Sequence, residues 1–511
     1  MKTRLTALIL CMVAITSCDK KSAAEVERPE KPNILLIISD QLNWNFFSSM
    51  GNQYVETPNI DRLMAHGVRY DRAYVANPVC IPSRVSMFTG QRPTHFGFHV
   101  PKGIEHNSVD VKEYVAENQM ATQMQQAGYK TYYGGKDHFG WREYSFKPQD
   151  LGFEVYANGK EYRGVDCVPK AIETLNNHKA NHTDQPFFMV ASLMNPHDIC
   201  YAHIKDNKFD MDKIDDRTDA GGWQDLLRES VLANLRIPEG EVGAGGFEPI
   251  DYYLKNSPPL PDNYMPQSDE PTIISGENGE SGMAASFGRY RGQYDSTDWK
   301  LHRFAYVKFV EEIDREVGEL LDGLEASGMG ENTVIIFTSD HGEMNGAHQM
   351  AGKGLFFDEV CRVPFVVTHP SLVGGRVDDS NLISNGLDLV PTLFGLAGVN
   401  SEQEFEGKDL SELFFSANEK LGRTHVPVEF STGMGLVSSD FYYGIYFNGS
   451  ENNEQLYDMR KQPLQMENDA LDVAYEEDLN ANRKVFRMMN EETLKNFDYP
   501  EGYMKFLGSN D

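Results

Sequence analysis

Three stretches of this chain are apolar throughout, and each runs directly into residues that ionise. Asn33 to Ser39 reads NILLIIS and meets Asp40-Gln41; Phe187 to Leu193 reads FFMVASL and meets Asn195-Pro196-His197-Asp198; Thr333 to Ser339 reads TVIIFTS and meets Asp340-His341-Gly342-Glu343. A strand with one wet face alternates polar and apolar residues. Continuous apolar runs therefore describe strands covered on both faces, as in a parallel sheet between two helical layers. Ligands of such sheets bind in the crevice beyond the carboxyl ends of the strands. One strand ending in aspartate is ordinary, because aspartate also caps helices and opens turns. Three strands that deliver Asp or His to the same edge predict a site there.

The rest of the chain fits around that sheet. Over Lys300 to Ser327, apolar residues from Phe304 to Leu324 recur at three- and four-residue spacing and Gly328 follows, which predicts an amphipathic crossover helix whose stripe is core packing. Residues 201–299 are polar and broken by Gly and Pro; a structureless loop of that length is improbable, so short helices and ordered turns covering one side of the cleft are expected. From Val426 the composition shifts to short aromatic-rich stretches such as YYGIYF and EQLYDM, followed by a charged segment near Glu476 to Asn496. The expected fold class is α/β: a large mixed, mostly parallel sheet sandwiched by helices over residues 32–425, then a smaller antiparallel-sheet plus helix subdomain over 426–511.

At the amino end, Lys2 and Arg4 precede an apolar run from Leu5 to Ile15, too short to span a membrane, and then Ile15-Thr16-Ser17-Cys18. This arrangement resembles a bacterial lipoprotein cleavage box, with a plain secretory signal as the alternative. It implies removal of residues 1–17, lipidation of Cys18, a polar tether over 18–31, and attachment to the bacterial cell envelope, periplasmic or surface-facing, through the lipid alone. The net charge of -30 disfavours nucleic acid and anionic membrane surfaces as partners. Beyond Cys11 and Cys18 only Cys80, Cys167, Cys200 and Cys361 remain, too scattered for a disulfide framework.

Cys80 lies in PVCIPSRVSMFTG, residues Pro78 to Gly90. A buried core thiol, half of a disulfide and a nucleophile are all open readings of it. Pro82 and Ser83 suit the start of a helix, which would leave residue 80 just ahead of an amino end that favours anions. Lys136 and His138, in Gly134-Gly135-Lys136-Asp137-His138-Phe139-Gly140, would point to one face if the segment is extended. His197 follows a buried strand, where it can be a general acid or a structural hydrogen-bond partner. Lys353 stands between Gly352 and Gly354, where a solvated turn residue is the ordinary case. Asp40, Gln41, Asp340 and His341 offer the hard ligands that calcium or magnesium takes.

Taken in order along the chain, these positions resemble the formylglycine-dependent (type I, arylsulfatase-like) sulfatases of the alkaline phosphatase superfamily. The resemblance rests on Cys80-Ile81-Pro82-Ser83-Arg84 with Thr89-Gly90, on Asp40, on Gly128-Tyr129-Lys130-Thr131 leading to Lys136 and His138, on Asn195-Pro196-His197, on Ser339-Asp340-His341-Gly342, on Lys353 and on Leu456-Tyr457-Asp458. It implies oxidation of Cys80 to formylglycine by a formylglycine-generating or radical sulfatase-maturating enzyme. The hydrated aldehyde would attack the sulfur of a sulfate ester, and its second hydroxyl would release sulfate. Asp40, Gln41, residue 80, Asp340 and His341 would hold Ca2+, with Mg2+ as the alternative; Gln41 and His341 stand where many relatives carry Asp and Asn. Arg84, Lys136 and Lys353 would offset negative charge, His197 would be the acid for the leaving alcohol and His138 the base. The implied substrate is a sulfated carbohydrate, an algal polysaccharide or a glycosaminoglycan. Position near the motifs alone suggests His95, His99, His302 and Arg303 as sugar contacts, and a packing or surface role is the first reading of each. The rivals are a phosphodiesterase or phosphonate monoester hydrolase of the same superfamily, an inactive glycan-binding lipoprotein, and a hydrolase using the Cys80 thiol itself.

Overall fold

The computed structural model describes residues 29–98, 108–140, 145–159, 166–209, 231, 234–235, 250–276, 290–372, 374–416, 418–430, 433–447 and 453–495. The signal segment, Cys18, most of the tether, His99 and much of 201–299 lie outside the described residues.

Eight strands form the main sheet: β1 (Asn33–Asp40), β2 (Gly67–Tyr70), β3 (Lys130–Lys136), β4 (Glu154–Gly159), β5 (Phe187–Pro196), β6 (Thr333–Ser339), β7 (Phe365–Thr368) and β8 (Arg376–Asp378). Their order across the sheet is β8-β2-β7-β6-β1-β5-β3-β4. β7 alone runs against its neighbours, so the sheet is mixed and mostly parallel. The three apolar runs are its centre: Leu35 pairs with Met189 on one side and Ile335 on the other. Their ionisable ends therefore leave the sheet side by side.

Alternation along β1 divides the core in two. Ile34, Leu36 and Ile38 face a cluster that includes Ile81, Val85 and Phe88 of α2 (Cys80–Thr89) and Leu389, Leu393 and Leu396 of α5 (Asn385–Ala397). Leu35 and Ile37 face the opposite cluster, built on α1 (Pro58–His66), α3 (Cys167–Asn181) and the 31-residue α4 (Ser296–Ala326). The crossover helix α4 starts at Ser296, four residues ahead of the expected Lys300. Asp295 accepts from the N–H groups of Thr297 and Asp298 while Asp298 accepts from the N–H of Asp295, a reciprocal cap that extends the first turn. In the 201–299 segment the described parts include a two-stranded ribbon, Ile204–Lys205 with Lys208–Phe209, and short helices at Ile250–Asn256 and Thr272–Ser275.

The smaller unit is a four-stranded antiparallel sheet, β9 (His425–Phe430), β10 (Gly433–Ser438), β11 (Phe441–Tyr446) and β12 (Glu454–Asp458), followed by α6 (Glu476–Lys495). Phe356, from the loop that carries Lys353, docks on it. Gly435 and Gly444 are register partners, and a Cβ on either would stand 2.4 and 2.7 Å from the Phe356 ring. The ring also stacks on Phe430 at 5.1 Å. The second sheet thus anchors a loop of the first. Phe356→Ala is expected to cost about 3–5 kcal/mol by opening this contact, read as a lower midpoint in urea unfolding.

Candidate active site

The carboxyl ends of β1 and β6 and the start of α2 meet around one buried guanidinium. Arg84, with no exposed side-chain surface, donates from Nε to Asp340 at 2.8 Å and from Nη2 to Asp40 at 3.1 Å. Its Nη1 reaches the Ser192 hydroxyl at 2.7 Å and the Lys136 carbonyl at 3.1 Å. Lys136 Nζ adds a second ion pair to Asp40 at 2.7 Å. Ser83 donates its hydroxyl to the Asp340 carbonyl at 2.6 Å, pinning the first turn of α2 to the end of β6. Cys80 is the first residue of that helix rather than a residue ahead of it, since the extended Val79 is the cap.

Cys80 is buried among charges. Its Sγ lies 2.7 Å from Lys353 Nζ, 3.2 Å from His341 Nε2 and 3.9 Å from Asp40 Oδ1. Burial and the Asp40 charge push the thiol up, but Lys353, Lys136 and His341 outweigh them and hold it well below its ordinary value. Burial also opposes ionisation of Asp40, yet the cations led by Lys136 hold that carboxyl well below the usual range. Burial, and then Asp40, raise Asp340 instead, so the two carboxyls split as paired acids do. Arg84, Lys136 and Lys353 set three cations against the two carboxylates, so the pocket is positive whenever residue 80 does not itself carry a negative charge, which suits an anionic substrate.

Ligand atoms of Asp40, Cys80, Asp340 and His341 all lie within 4.8 Å of one another. That spread matches two or more ligands on one ion at bond lengths of about 2.3–2.6 Å. His341 Nδ1 donates to the Gly342 carbonyl at 2.8 Å, so Nε2 faces the cluster; burial lowers the imidazole, but Asp340 and Cys80 raise it above its usual value, and Nε2 would give up its proton to bind a cation. The donor set fits a divalent cation. Gln41 stands at its border: a left-handed backbone, φ 69°, turns the side chain so that Oε1 accepts from Lys353 at 2.8 Å and Nε2 donates to Glu343.

Two histidines complete the surroundings. His197 opens a short 3-10 turn after β5; burial, reinforced by Lys136, lowers its imidazole well below the usual value, so the ring is neutral. β3 ends at Lys136, and Gly135 already has φ 90°, so Lys136 and His138 are not presented by one extended face as the spacing suggests. His138 lies past the strand at φ 48°, half-buried, with its N–H on the Asp137 carboxylate. Of the suggested sugar contacts, His95 packs its ring on Phe96 and Tyr114. His302 is buried, 3.8 Å from Glu343.

Three supporting residues escape a reading by motif. Ser192 hides inside an apolar strand, where its lone hydroxyl is the available signal. Glu343 accepts from Gln41 and from the N–H groups of Asn345 and Gly352, tying the end of β6 to the Lys353 loop. Cys200 lies 3.5 Å from Gln41 Nε2, and Cys80, Cys167, Cys200 and Cys361 are all free thiols.

Comparison with known proteins agrees with this geometry. The sulfatase family matches residues 32–399, and the C-terminal family of N-sulphoglucosamine sulphohydrolase matches residues 346–492. A Δ4,5-hexuronate-2-O-sulfatase of Bacteroides thetaiotaomicron is 26% identical over 90% of this chain and 89% of its own. An ulvan-active sulfatase of Formosa agariphila is 27% identical over 82% of this chain and 72% of its own. A solved 2-O GAG sulfatase superposes with a TM-score of 0.67 at 22% identity, covering 91% of this chain and 92% of its own. The sheet order, the charged cluster at its carboxyl edge and the family match converge: this chain belongs to the sulfatase family of the alkaline phosphatase superfamily and is a sulfuric ester hydrolase.

Proposed function

We propose that this chain removes sulfate esters from a sulfated carbohydrate, with residue 80 acting as an aldehyde made from Cys80 by a maturation enzyme. The setting of Cys80 carries the reading. A structural thiol needs no lysine at 2.7 Å and no ring nitrogen at 3.2 Å, whereas a reaction centre for an anionic ester needs both charge and a nucleophile at that spot. Hydrated, the aldehyde supplies an oxygen nucleophile for sulfur and a second hydroxyl for release of sulfate. A divalent cation, which we take to be calcium, would be held by Asp40, Asp340 and His341 with Gln41 beside them, and would supply Lewis-acid polarisation.

The chain's own groups divide the remaining work. Arg84 has four of its donors engaged inside the cluster, so it orients Asp40 and Asp340 rather than reaching the ester. Lys353 is the cation placed to hold charge at residue 80, and Lys136 restrains Asp40 from the other side. His197 is neutral at rest; an incoming anion favours its protonation, and the proton then goes to the oxygen of the leaving alcohol. His138 takes the proton that must leave residue 80 when sulfate departs. The carbohydrate class is supported by the two relatives, one named for hexuronate and one for ulvan. Export and lipidation at Cys18 suit a polymer that is met outside the cell.

Mass spectrometry of the peptide containing Cys80, from protein made with its maturation system, is expected to show a loss of about 18 Da relative to cysteine. An intact thiol in active protein would reject the mechanism. Free sulfate should appear from sulfated oligosaccharides and vanish with Cys80→Ala; faster turnover of phosphate esters would make the chain a phosphohydrolase. His197→Ala should lower kcat by about 10²–10⁴ with the leaving alcohol's pKa setting the size of the loss. Removal of divalent ions by a chelator should abolish turnover, and calcium should restore it more fully than magnesium.

A further inference from the structure

A cavity of about 580 Å3 opens between the loop after β1, the proline-rich turn around Pro258 to Asn263, and the start of α4. Four of its lining residues carry buried polar atoms with no hydrogen-bond partner among the described residues: Asn43 Oδ1, Arg303 Nε, Asn345 Oδ1 and Glu359 Oε2. A buried polar atom left unpaired costs about 1–3 kcal/mol, and the side chains that carry these four atoms all line this one space.

The other atoms of the same side chains are already committed, which fixes what is on offer. Asn43 Nδ2 donates to the carbonyls of Glu343 and Glu359 at 2.8 and 3.1 Å, so its oxygen is the group left over. Asn263 donates to Glu359 Oε1 at 2.6 Å and leaves Oε2. Arg303 Nη1 donates to the Asn345 carbonyl at 2.6 Å. No carboxylate lies within ion-pairing distance of Arg303 among the described residues, and burial lowers this guanidinium to about 10. The lining side chains therefore hold three unpaired acceptors, one of them the Glu359 carboxyl that burial pushes up to about 7, and one cation with no ion-pair partner among the described residues. Phe46, Met344 and Pro261 add apolar wall beside them.

Three acceptors call for a ligand with several hydroxyl donors, the cation calls for one anionic substituent, and the apolar wall accepts C–H faces. We propose that this cavity is an accessory site for an acidic sugar unit, whose carboxylate or sulfate pairs with Arg303 and whose hydroxyls bond Asn43, Asn345 and Glu359. It is separate from the pocket around Cys80. Glu343 stands between them, giving its carbonyl to Asn43 and its carboxylate to Gln41, which in turn bonds Lys353. The inference rests on the carbohydrate reading above and adds a second point of hold on the same glycan.

The test is calorimetric titration of the full-length protein with a sulfate-free uronate tetrasaccharide. Its carboxyl-reduced form and a sulfated version of that reduced form serve as the other two probes. Binding of the uronate or of the sulfated probe, loss of binding with the reduced one, and at least a tenfold weaker Kd in Arg303→Met and in Glu359→Gln are expected. The stronger of the two anionic probes identifies the anion. Arg303→Lys should bind measurably, which keeps the test open if the methionine variant does not fold. Equal affinity for the neutral probe, or an unchanged Kd in all three variants, overturns the site. If the protein binds in this Arg303-dependent way yet frees sulfate from no sulfated glycan, the accessory site stands and the proposed reaction falls. Sulfate release without such binding sinks the accessory site alone.

Discussion

Arg84 ties the molecule together. Its guanidinium is fully buried and bonded at once to the carboxylates that end β1 and β6, to the hydroxyl of Ser192 in β5 and to the last carbonyl of β3. Four neighbouring strands and the helix that carries Cys80 are thereby referred to a single planar group. Removing one member of such a buried ionic set costs about 3–5 kcal/mol, because the partners stay behind uncompensated. The same group that holds the strand ends in place also sets the spacing of the two carboxylates. Architecture and chemistry are coupled here: Asp40 and Asp340 can share a small volume only because Arg84 and Lys136 neutralise them.

A second dependence runs through the smaller sheet. Lys353 reaches Cys80 from a loop with little regular structure of its own, and a loop alone would hold a cation loosely. Two contacts remove that freedom. Glu343 takes the N–H of Gly352, and Phe356 is seated against Gly435 and Gly444, where the lack of side chains leaves room for a ring. The antiparallel sheet therefore acts on the reaction pocket at one remove, by fixing the far end of the loop. This gives a physical reason for a fold in which the C-terminal unit contributes no ligand to the cluster among the described residues and is still part of how that cluster is built.

Much of this was legible in the chain itself, for reasons that differ by element. The three central strands announce themselves because burial on both faces removes all alternation. The long helix α4 is visible from its stripe, although its true start depended on the capping pair Asp295 and Asp298 rather than on apolar spacing. The ordered motif set identified Cys80, Arg84, Lys136, His197, Asp340, His341 and Lys353 as candidates before any geometry was known. Other features gave no such signal. That β3 stops at Lys136, so that His138 leaves on a left-handed turn, depends on Gly135 packing against β5, where an added Cβ would stand 1.9 Å from the Ser192 carbonyl. That Gln41 Oε1 accepts from Lys353, 312 residues away, has no sequence signal either.

What the amino-acid order determined by itself is a set of local properties: which runs must be buried, which segments are helical, and which ionisable residues follow each strand. These depend on neighbours a few residues apart, so they can be read in one dimension. The tertiary structure decided everything that depends on distance between segments remote in sequence. It set Cys80 against Lys353 across 273 positions, opposed Asp40 to Asp340, and left one polar atom on each of Asn43, Arg303, Asn345 and Glu359, which line one cavity, without a partner among the described residues. The reason is electrostatic and steric together: a charge buried far from water takes its state from whichever charges packing brings near it, and packing is a property of the whole chain.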